Sequence, residues 1–170
     1  MDDLITTILY GRAEQGVETA TRRLGDAAFR AKNQTQDFVV KGMETVGFPV
    51  RGTVKVAKSP IVSKQEEQGD FVVLCDMQLK DAAKYCKDRA TIIYNSIDKM
   101  KFKDELKQFH VPATQIYLDR GRTGTVALIM LGAFAKVFGK IPLKYFKAVL
   151  DEHGENYGAF EEGAHNVKRG

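Results

Sequence analysis

The stretch YGRAEQGVETATRRLGDAAF, residues 10–29, follows a short apolar run from Leu4 to Tyr10. That run is typical of a buried strand, and it ends at Gly11. From Val17 onward, apolar and small residues recur at helical spacing, and charged residues fall largely on the other side of the helix. A strand, a glycine-containing loop and a helix in this order begin an α/β unit, so this stretch indicates the fold class.

The loop between this strand and this helix has the shape of a phosphate-binding turn, because backbone N–H groups at the start of a helix attract anions. Gly11 and Gly16 allow a tight turn and a close approach of the helix to the strand. Ala13 and Glu14 narrow the space, and the carboxylate of Glu14 would repel a phosphate if it pointed inward. The residues alone therefore argue against tight dinucleotide binding, and Glu14 suits the positive end of the helix dipole instead.

The rest of the chain alternates between strand and helix patterns. The clearest buried strands are Phe71–Cys75 and Ala90–Tyr94. Further strands are predicted at Thr35–Val40, Val50–Ala57 and Thr114–Leu118, and helices at Leu79–Lys87, Phe102–Phe109, Val126–Val137, Pro142–Gly154 and Asn156–Asn166. This order predicts a single Rossmann-like α/β domain over residues 1–170, in three layers, with a mainly parallel sheet and C-terminal helices.

The formal net charge of the chain is +4, and part of the positive charge comes from Arg51, Lys55, Lys58 and Lys64, in and just after the predicted strand Val50–Ala57, and part from the tail Lys168-Arg169. The alternation of this strand predicts a half-exposed or edge strand, with Arg51 and Lys55 on one side. Such basic residues are commonly a solvated face that also protects an edge from aggregation. The alternative is a surface for an anionic ligand or an acidic partner. The charge is too weak to indicate nucleic-acid binding.

Composition limits the other classes of function. The chain of 170 residues has two cysteines, Cys75 and Cys86, and three histidines that lie far apart in sequence. This usage predicts a reducing, cytoplasmic location and argues against a metal site. The sequence has neither an apolar stretch long enough to cross a bilayer nor a signal peptide, so no membrane association is expected.

Polar residues follow two of the predicted strands where catalytic groups of α/β proteins often lie. Asp76 follows the strand Phe71–Cys75, and Asn95 follows Ala90–Tyr94. Parallel sheets bind ligands beyond the carboxyl ends of their strands, so this edge would carry the Gly11–Gly16 loop, Asp76 and Asn95. Simple turn chemistry also explains these residues, and it is the preferred interpretation. With no nucleophile elbow and no P-loop lysine motif, no self-contained active site is predicted.

Several motifs, in the same order along almost the whole chain, resemble the gamma subunit, or gamma domain, of 2-oxoacid:ferredoxin oxidoreductases. Gly11–Val17 resembles the family loop G-x-G-G-Q-G-V. The likeness continues at Gly42–Val50 (G-P-E-x-R-G-x-P-V), Lys55-Val56, Pro60-Ile61, Met130–Ala133 (M-L-G-A), Ile141–Leu150 and Asn156–Gly163 (N-x-x-A-F-x-x-G). The chain departs from the family at Ala13 and Glu14, which replace loop glycines, at Thr45-Val46, where an arginine is usual, and near Leu128, where an asparagine is usual.

The resemblance implies a subunit of a complex that converts a 2-oxoacid to an acyl-coenzyme A. It implies that thiamine diphosphate, Mg²⁺ and 4Fe–4S clusters belong to alpha, beta and delta-type companions, with electrons passing to ferredoxin or to an NAD-reducing subunit. This chain would hold no catalytic residue, and it would help to shape the coenzyme A region or a subunit contact through Gly11, Gln15, Gly16, Glu44, Arg51 and Lys55. The alternatives are a stand-alone Rossmann-like ligand-binding module and a purely structural subunit.

Overall fold

The computed structural model describes residues 3–42, 48–62 and 68–170. One mixed sheet carries the fold, and helices are added mainly after its sixth strand. Two short 3-10 segments, Ala13–Gln15 and Lys80–Tyr85, lie between the larger elements. In chain order the strands and helices are β1 (Ile5–Arg12), α1 (Val17–Arg30), β2 (Gln34–Lys41), β3 (Pro49–Ala57), β4 (Gly69–Leu74), β5 (Cys86–Asn95), β6 (Lys107–Val111), α2 (Ala113–Asp119), α3 (Val126–Phe138), α4 (Leu143–Glu152), α5 (Tyr157–Asn166) and β7 (Lys168–Arg169).

The sheet has the strand order β2-β3-β1-β4-β5-β6-β7. Strands β1, β4, β5 and β6 are parallel neighbours, whereas β3 is antiparallel to both β1 and β2, and β7 is antiparallel to β6. Five of the seven described strands, β1, β2, β4, β5 and β6, therefore run in one direction. The predicted α/β fold with a mostly parallel sheet is confirmed.

The two faces of the sheet are covered differently. Alternate strand residues such as Leu9, Val73 and Ile93 belong to a large apolar cluster with the helices, and we call this side the helix face. Residues on the opposite side, such as Ile8 and Tyr10, form a smaller cluster with the 3-10 segment Lys80–Tyr85, and we call it the second face. The layers are thus helices, sheet and a thin third layer of short segments.

Two glycines let α3 and α5 touch through their backbones. A Cβ atom on Gly132 would lie 1.8 Å from the carbonyl oxygen of Phe160. A Cβ atom on Gly163 would lie 1.8 Å from the carbonyl oxygen of Ile129. Since real Cβ contacts of that length do not occur, only glycine permits this approach. The pair fixes the C-terminal helices against the helix face.

Most elements lie where the sequence predicts them, and four predictions are wrong. Val50–Ala57 is not an edge or half-exposed strand, because β3 lies between β2 and β1 and is mostly buried. The predicted helix Phe102–Phe109 and strand Thr114–Leu118 are exchanged in type: residues 107–111 form β6, and residues 113–119 form α2. The predicted helix Leu79–Lys87 is a 3-10 segment that gives way to β5 at Cys86.

Proline explains the exchange around residue 112. A proline after the predicted helix Phe102–Phe109 is typical of a helix stop, whereas Pro112 is the N-cap residue of α2, which begins at Ala113. Proline is compatible with the first turn of a helix, because the N–H that it lacks has no partner there anyway. The same residue therefore marks the start of a helix, and the apolar residues before it belong to a strand.

Candidate functional site

The carboxyl ends of β1, β4 and β5 meet at one edge of the sheet. The N–H of Cys75 donates to the carbonyl of Tyr10 at 2.8 Å, which extends the pairing of β1 and β4 past the end of the strands. Asn95 Nδ2 donates to the carbonyl of Cys75 at 2.9 Å and to Thr114 Oγ1 at 2.7 Å. The structure thus brings together the loop, Asp76 and Asn95, as the sequence predicts for a parallel sheet.

The side chain of Gln15 fills the turn that follows β1. Its Oε1 accepts from the N–H of Arg12 at 2.8 Å, and its Nε2 donates to the carbonyl of Cys75 at 3.3 Å. A Cβ atom on Gly11 would lie 2.8 Å from Cys75 Cβ and 2.9 Å from Gln15 Oε1. The space beside Gly11 is therefore occupied by the chain itself, and the turn is held by its own amide side chain.

Gly16 serves close packing between two helices. Its φ of +85° lies in the left-handed region, and it is the N-cap residue of α1. A Cβ atom there would lie 2.7 Å from Thr125 Oγ1. Thr125 in turn caps α3 by accepting from the N–H of Leu128 at 3.1 Å. Both glycines thus have packing roles, and the residues present do not form an open backbone cradle for a phosphate.

A cavity of about 350 Å³ lies between the first turns of α1 and α3 and the start of α5. Glu155 lines it, and its carboxylate forms an ion pair with Arg23 at 2.6 Å. The N-cap side chain of Asn156 accepts from the N–H of Ala159 and from Arg120 Nη2. The residues that line this cavity include no lysine or arginine, so it offers a phosphate no cationic partner.

Arg12 and Asp76 form an ion pair on the second face of the sheet, with Arg12 Nε 2.8 Å from Asp76 Oδ2. The other carboxylate oxygen of Asp76 accepts from the N–H of Gln78 at 2.9 Å. Asp76 therefore makes both a turn contact and a contact that orients Arg12. The arginine head group is held at the edge of the sheet, next to the turn that Gln15 closes.

Arg51 stands over an aromatic ring a short distance away on the same face. Its guanidinium carbon is 4.7 Å from the centroid of the Tyr85 ring, a cation–π contact. Tyr85 meets Tyr10 edge-on, with ring centroids 4.9 Å apart. Tyr10 Oη donates to Asp81 Oδ1 at 3.1 Å, and burial, together with the charge of Asp81, raises the pKa of Tyr10. Together these residues fix the position of the Arg51 head group.

No carboxylate of the described residues pairs with Arg51. Its contact with the ring of Tyr85 leaves the N–H groups of the guanidinium to be satisfied by water or by an incoming group. Planar arginine head groups bind carboxylates and phosphates through two parallel hydrogen bonds. Arg51 is therefore a preorganised cation suited to an anionic group.

Lys55 and Glu44 complete the set of predicted site residues. Lys55 is 1% exposed in the middle of β3, opposite Thr6 of β1 and Gln36 of β2. Its head group does not reach the surface, contrary to the expectation for a lysine on an edge strand. Glu44 lies in residues 43–47, which are outside the described residues.

The cysteines and other potential metal ligands are dispersed. Burial raises the pKa of Cys75 to about 12 and that of Cys86 to about 11, so both are protonated at neutral pH. In the described ranges, no group of three or more His, Cys, Asp or Glu side chains is placed to hold a metal ion. A 4Fe–4S cluster takes four cysteine thiolates, and the whole chain has two cysteines. These residues do not fit such a cluster.

Sequence reasoning missed the residues that position Arg51. Tyr85 and Asp81 lie in a short 3-10 segment that was expected to be a plain helix. The alternation of β1 could have placed Tyr10 and Arg12 on one face, because residues two apart on a strand share a side. The sequence contains no local signal that joins Arg51 to Tyr85, which lies 34 positions further on.

None of the helices described here is both long and apolar enough to cross a membrane. Comparison with known proteins gives a consistent result. A family model described as pyruvate ferredoxin/flavodoxin oxidoreductase matches residues 6–168. The pyruvate synthase subunit PorC of Methanocaldococcus jannaschii is 31% identical over 177 aligned positions, which cover 96% of each chain. The pyruvate/ketoisovalerate oxidoreductases common subunit gamma of Pyrococcus furiosus is 29% identical and covers 88% of this chain and 86% of its own.

Solved structures share the fold. The pyruvate oxidoreductase subunit PORC of Thermotoga maritima superimposes with a TM-score of 0.84, at 24% identity and 98% coverage of both chains. A 2-oxoglutarate:ferredoxin oxidoreductase from Magnetococcus marinus, determined with 2-oxoglutarate, coenzyme A and succinyl-CoA bound, gives a TM-score of 0.83 at 15% identity. The match covers 97% of this chain and 31% of that larger one.

Proposed function

This chain belongs to the pyruvate ferredoxin/flavodoxin oxidoreductase family as a gamma-type subunit of an oxidoreductase complex, and we propose that its complex converts a 2-oxoacid to an acyl-coenzyme A. Alpha, beta and delta-type companions hold thiamine diphosphate, Mg²⁺ and 4Fe–4S clusters in this proposal. Thiamine diphosphate supplies the carbanion chemistry that cleaves the 2-oxoacid next to its carbonyl. Electrons leave to ferredoxin or to an NAD-reducing subunit. The gamma-type chain contributes to assembly and to the coenzyme A region.

The observation that carries the coenzyme A part of this proposal is Arg51, whose guanidinium stands over Tyr85 without a carboxylate partner in the described residues. Coenzyme A carries phosphates, and a stacked arginine can bind a phosphate through two hydrogen bonds. The related oxidoreductase from Magnetococcus marinus was determined with coenzyme A bound, which supports this class of ligand.

In this proposal the other residues at this edge of the sheet hold the site in position and do not contact the ligand. Gln15 closes the turn after β1, and Asp76 holds Arg12 beside it. We assign the anion contact to Arg51 and not to Lys55, because the Lys55 side chain is buried in β3. Gly11 and Gly16 support the site by allowing the turn and by letting α1 start against Thr125.

The test is Arg51→Met in the intact complex, purified without oxygen, with steady-state kinetics for both substrates. Loss of a charge-assisted hydrogen bond costs about 1.5–3 kcal/mol, so we expect the KM for coenzyme A to rise about 10- to 100-fold. The KM for the 2-oxoacid stays within about twofold. Lys58→Met is the matched control, because this exposed lysine lies just past the other end of β3. An unchanged KM for coenzyme A with Arg51→Met contradicts the assignment.

Membership of a larger assembly is tested separately by native mass spectrometry of the chain purified anaerobically from its own cells. We expect it to travel with larger subunits that carry thiamine diphosphate and iron–sulfur clusters. Recovery of the chain alone, in a fully folded state, would favour a stand-alone ligand-binding module. Recovery with companions, together with an unchanged KM for coenzyme A in Arg51→Met, would favour a purely structural subunit.

A further inference from the structure

We infer that the amino edge of the sheet carries a docking surface for an acidic electron-carrier protein, the partner that receives the electrons of the reaction. This inference rests on the proposed function, because it names the class of partner that the proposed complex would use. It concerns the end of the sheet opposite to the candidate coenzyme A region. The argument rests on five lysines, on the two cavities beside them, and on the distribution of charge along the chain.

The amino edge of the sheet lies where β1 and β2 begin and β3 ends. Gln34, the first residue of β2, pairs with Ala57, the last residue of β3, and Lys58 follows directly. A cavity of about 170 Å³ lies at this edge, and Lys58 and Lys140 both line it. The end of β3 and the turn between α3 and α4 therefore present their lysines together.

The same surface continues to the end of α1. Asn33 lines the cavity at the amino edge, and it also lines a second cavity beside Lys32. Two more lysines come from the helices that flank the turn, one in the last turn of α3 and one in the first turn of α4. The complete set, which we call the lysine surface, consists of Lys32, Lys58, Lys136, Lys140 and Lys144, all of them exposed.

The lysine surface is not neutralised from within the chain. In residues 3–42, 48–62 and 68–170, none of the five lysines forms an ion pair. The neighbouring cations Arg30 and Lys147, in contrast, are paired with carboxylates of α4. Asp3 is the one carboxylate among the residues that line the two cavities. It accepts from the backbone N–H of Lys58 at 2.7 Å and from the hydroxyl of Ser59.

The lysine surface accounts for the net charge of the chain. Five lysines against Asp3 leave an excess of four positive charges, and the formal net charge of the whole chain is +4. The sequence has 26 lysines and arginines and 22 acids, so outside this surface the two signs are equal in number. A surface of one sign attracts partners of the opposite sign over roughly a Debye length, about 8–10 Å at physiological salt. The partner that fits this surface is therefore acidic.

Two features favour a protein over a small anion at this surface. The lysines are spread around two cavities and do not converge on one point. Phe29, which is 67% exposed, lines the second cavity with Lys32, and Leu143, which is 37% exposed, precedes Lys144. The surface thus offers apolar contacts as well as charge, and a protein can use both.

The abundance of lysine favours a partner that binds transiently. Lysine is depleted in protein interfaces, and its flexible side chain loses freedom when it is ordered. Complementary charge mainly raises the rate of encounter, by about 10- to 1,000-fold, and weak electron-transfer complexes bury small areas. The proposed reaction needs such a partner, because its electrons leave the complex. The matching family model is described as pyruvate ferredoxin/flavodoxin oxidoreductase, which names two protein acceptors.

The lysine surface is separate from the candidate coenzyme A region. Lys58 follows Arg51 by seven positions, which is about 23 Å along an extended strand. An acidic carrier at the amino edge and coenzyme A at Arg51 therefore do not compete for one place.

The test measures binding and reduction of ferredoxin by the intact complex, with ferredoxin purified from the same cells. The double variant Lys58→Glu/Lys140→Glu changes the formal net charge of the chain from +4 to 0. We expect the Kd of oxidised ferredoxin, measured by titration calorimetry at low salt, and the KM for ferredoxin to rise about 10-fold. The difference shrinks at about 0.5 M salt, where the Debye length is about 4 Å.

The matched control is Lys99→Glu/Lys103→Glu, which makes the same change of charge at exposed lysines between β5 and β6. We expect its Kd for ferredoxin to stay within about twofold of the unmodified complex. With a viologen dye as acceptor, both variants keep the unmodified rate and the unmodified KM for the 2-oxoacid and coenzyme A, because a small dye needs no docking surface.

The inference is overturned if ferredoxin does not bind the unmodified complex, or if Lys58→Glu/Lys140→Glu leaves its Kd unchanged. An equal loss of affinity in the control also overturns it, because net charge alone then explains the effect. Loss of the variant chain from the complex in native mass spectrometry would identify the surface as a companion interface instead. The proposed function fails separately, if the unmodified complex does not reduce the dye with a 2-oxoacid and coenzyme A, and the ferredoxin titration still tests the surface in that case.

Discussion

The two faces of the sheet differ in how deeply they are covered and in the kind of side-chain contacts they make. On the helix face, strand residues such as Leu9 and Val73 are buried under five helices, two of which touch through Gly132 and Gly163. On the second face, β3 carries Arg51 over the ring of Tyr85, and β1 carries Tyr10, which is bound to Asp81, and Arg12, which is paired with Asp76. Alternate residues of one strand can therefore pack in a large apolar core on one side of the sheet and make polar contacts on the other.

The largest loss of stability is expected where α3 and α5 are in backbone contact on the helix face. Gly132→Ala puts a Cβ atom 1.8 Å from the Phe160 carbonyl oxygen, so α3 and α5 must move apart. Overpacking of this kind costs about 3 kcal/mol or more in free energy of unfolding, measured by urea denaturation. Gly25→Ala in α1 is the control, because its nearest contact is the movable carboxylate of Asp37 at 3.3 Å. Equal losses in the two variants would refute this explanation.

The two cysteines lie on different faces of the sheet, and we expect them to affect the free energy of unfolding differently at alkaline pH. Cys75 on the helix face has a pKa raised to about 12 by burial, from an ordinary value of 9.0. Above pH 9 the unfolded chain therefore loses this proton first, and stability falls as pH rises towards 12, by about 1.4 kcal/mol per unit at most. Cys75→Ala should flatten the dependence of unfolding free energy on pH between about 9 and 11.

The comparison variant for that measurement is Cys86→Ala. Cys86 lies on the second face, and burial raises its pKa to about 11, a smaller rise. Its removal should flatten the curve less than removal of Cys75 does. If Cys86→Ala has the larger effect, the helix face is not the more strongly desolvated side, and the contrast between the faces fails.

The turn after β1 lies at the carboxyl edge of the sheet, and the hydrogen bonds of Gln15 are expected to stabilise it. Gln15→Ala removes the acceptor for the Arg12 N–H and a donor to the Cys75 carbonyl. Partly buried backbone groups left without partners cost about 1–3 kcal/mol, which thermal or urea unfolding would detect. Gln115→Ala on α2, where an exposed side chain contacts Asp119, should cost less than about 0.5 kcal/mol. A loss no greater than this control would mean that water replaces Gln15 fully.

The smallest effect is expected on the second face. Tyr10→Phe removes the hydrogen bond to Asp81 while keeping the ring contact with Tyr85, and should cost about 0.5–1.5 kcal/mol. The raised pKa of Tyr10 means that the unfolded chain ionises first, so its contribution is present below pH 10 and is lost as pH rises above it. A double-mutant cycle with Asp81→Asn measures the pair, and a coupling of zero would show that the bond adds nothing.

Much of the fold follows from local patterns. The buried strands β1, β4 and β5 and the helices α1, α3, α4 and α5 have clear periodicity and clear stop signals, so the sequence predicts them. β3 was misjudged because Arg51 and Lys55 alternate with apolar residues, as on a half-exposed strand. In the folded chain β3 is covered on both sides, and burial of a lysine depends on neighbours that periodicity does not contain.

The candidate site was predicted only in part. The meeting of the Gly11–Gly16 loop, Asp76 and Asn95 follows from the rule that parallel strands end together, and it is confirmed as an arrangement. The filling of the turn by Gln15 and the stacking of Arg51 on Tyr85 are contacts between side chains, and sequence spacing does not determine them. The binding role of these residues stays a prediction.

Hydrogen–deuterium exchange of the intact complex, with and without coenzyme A, tests the contrast between the faces most directly. If the second face meets coenzyme A, the ligand will slow exchange in peptides covering residues 49–57 and 80–86, around Arg51 and Tyr85. Peptides from α3, residues 126–138, will exchange equally in both conditions. Unchanged exchange around Arg51 and Tyr85, in a complex that still responds to coenzyme A, would contradict the account.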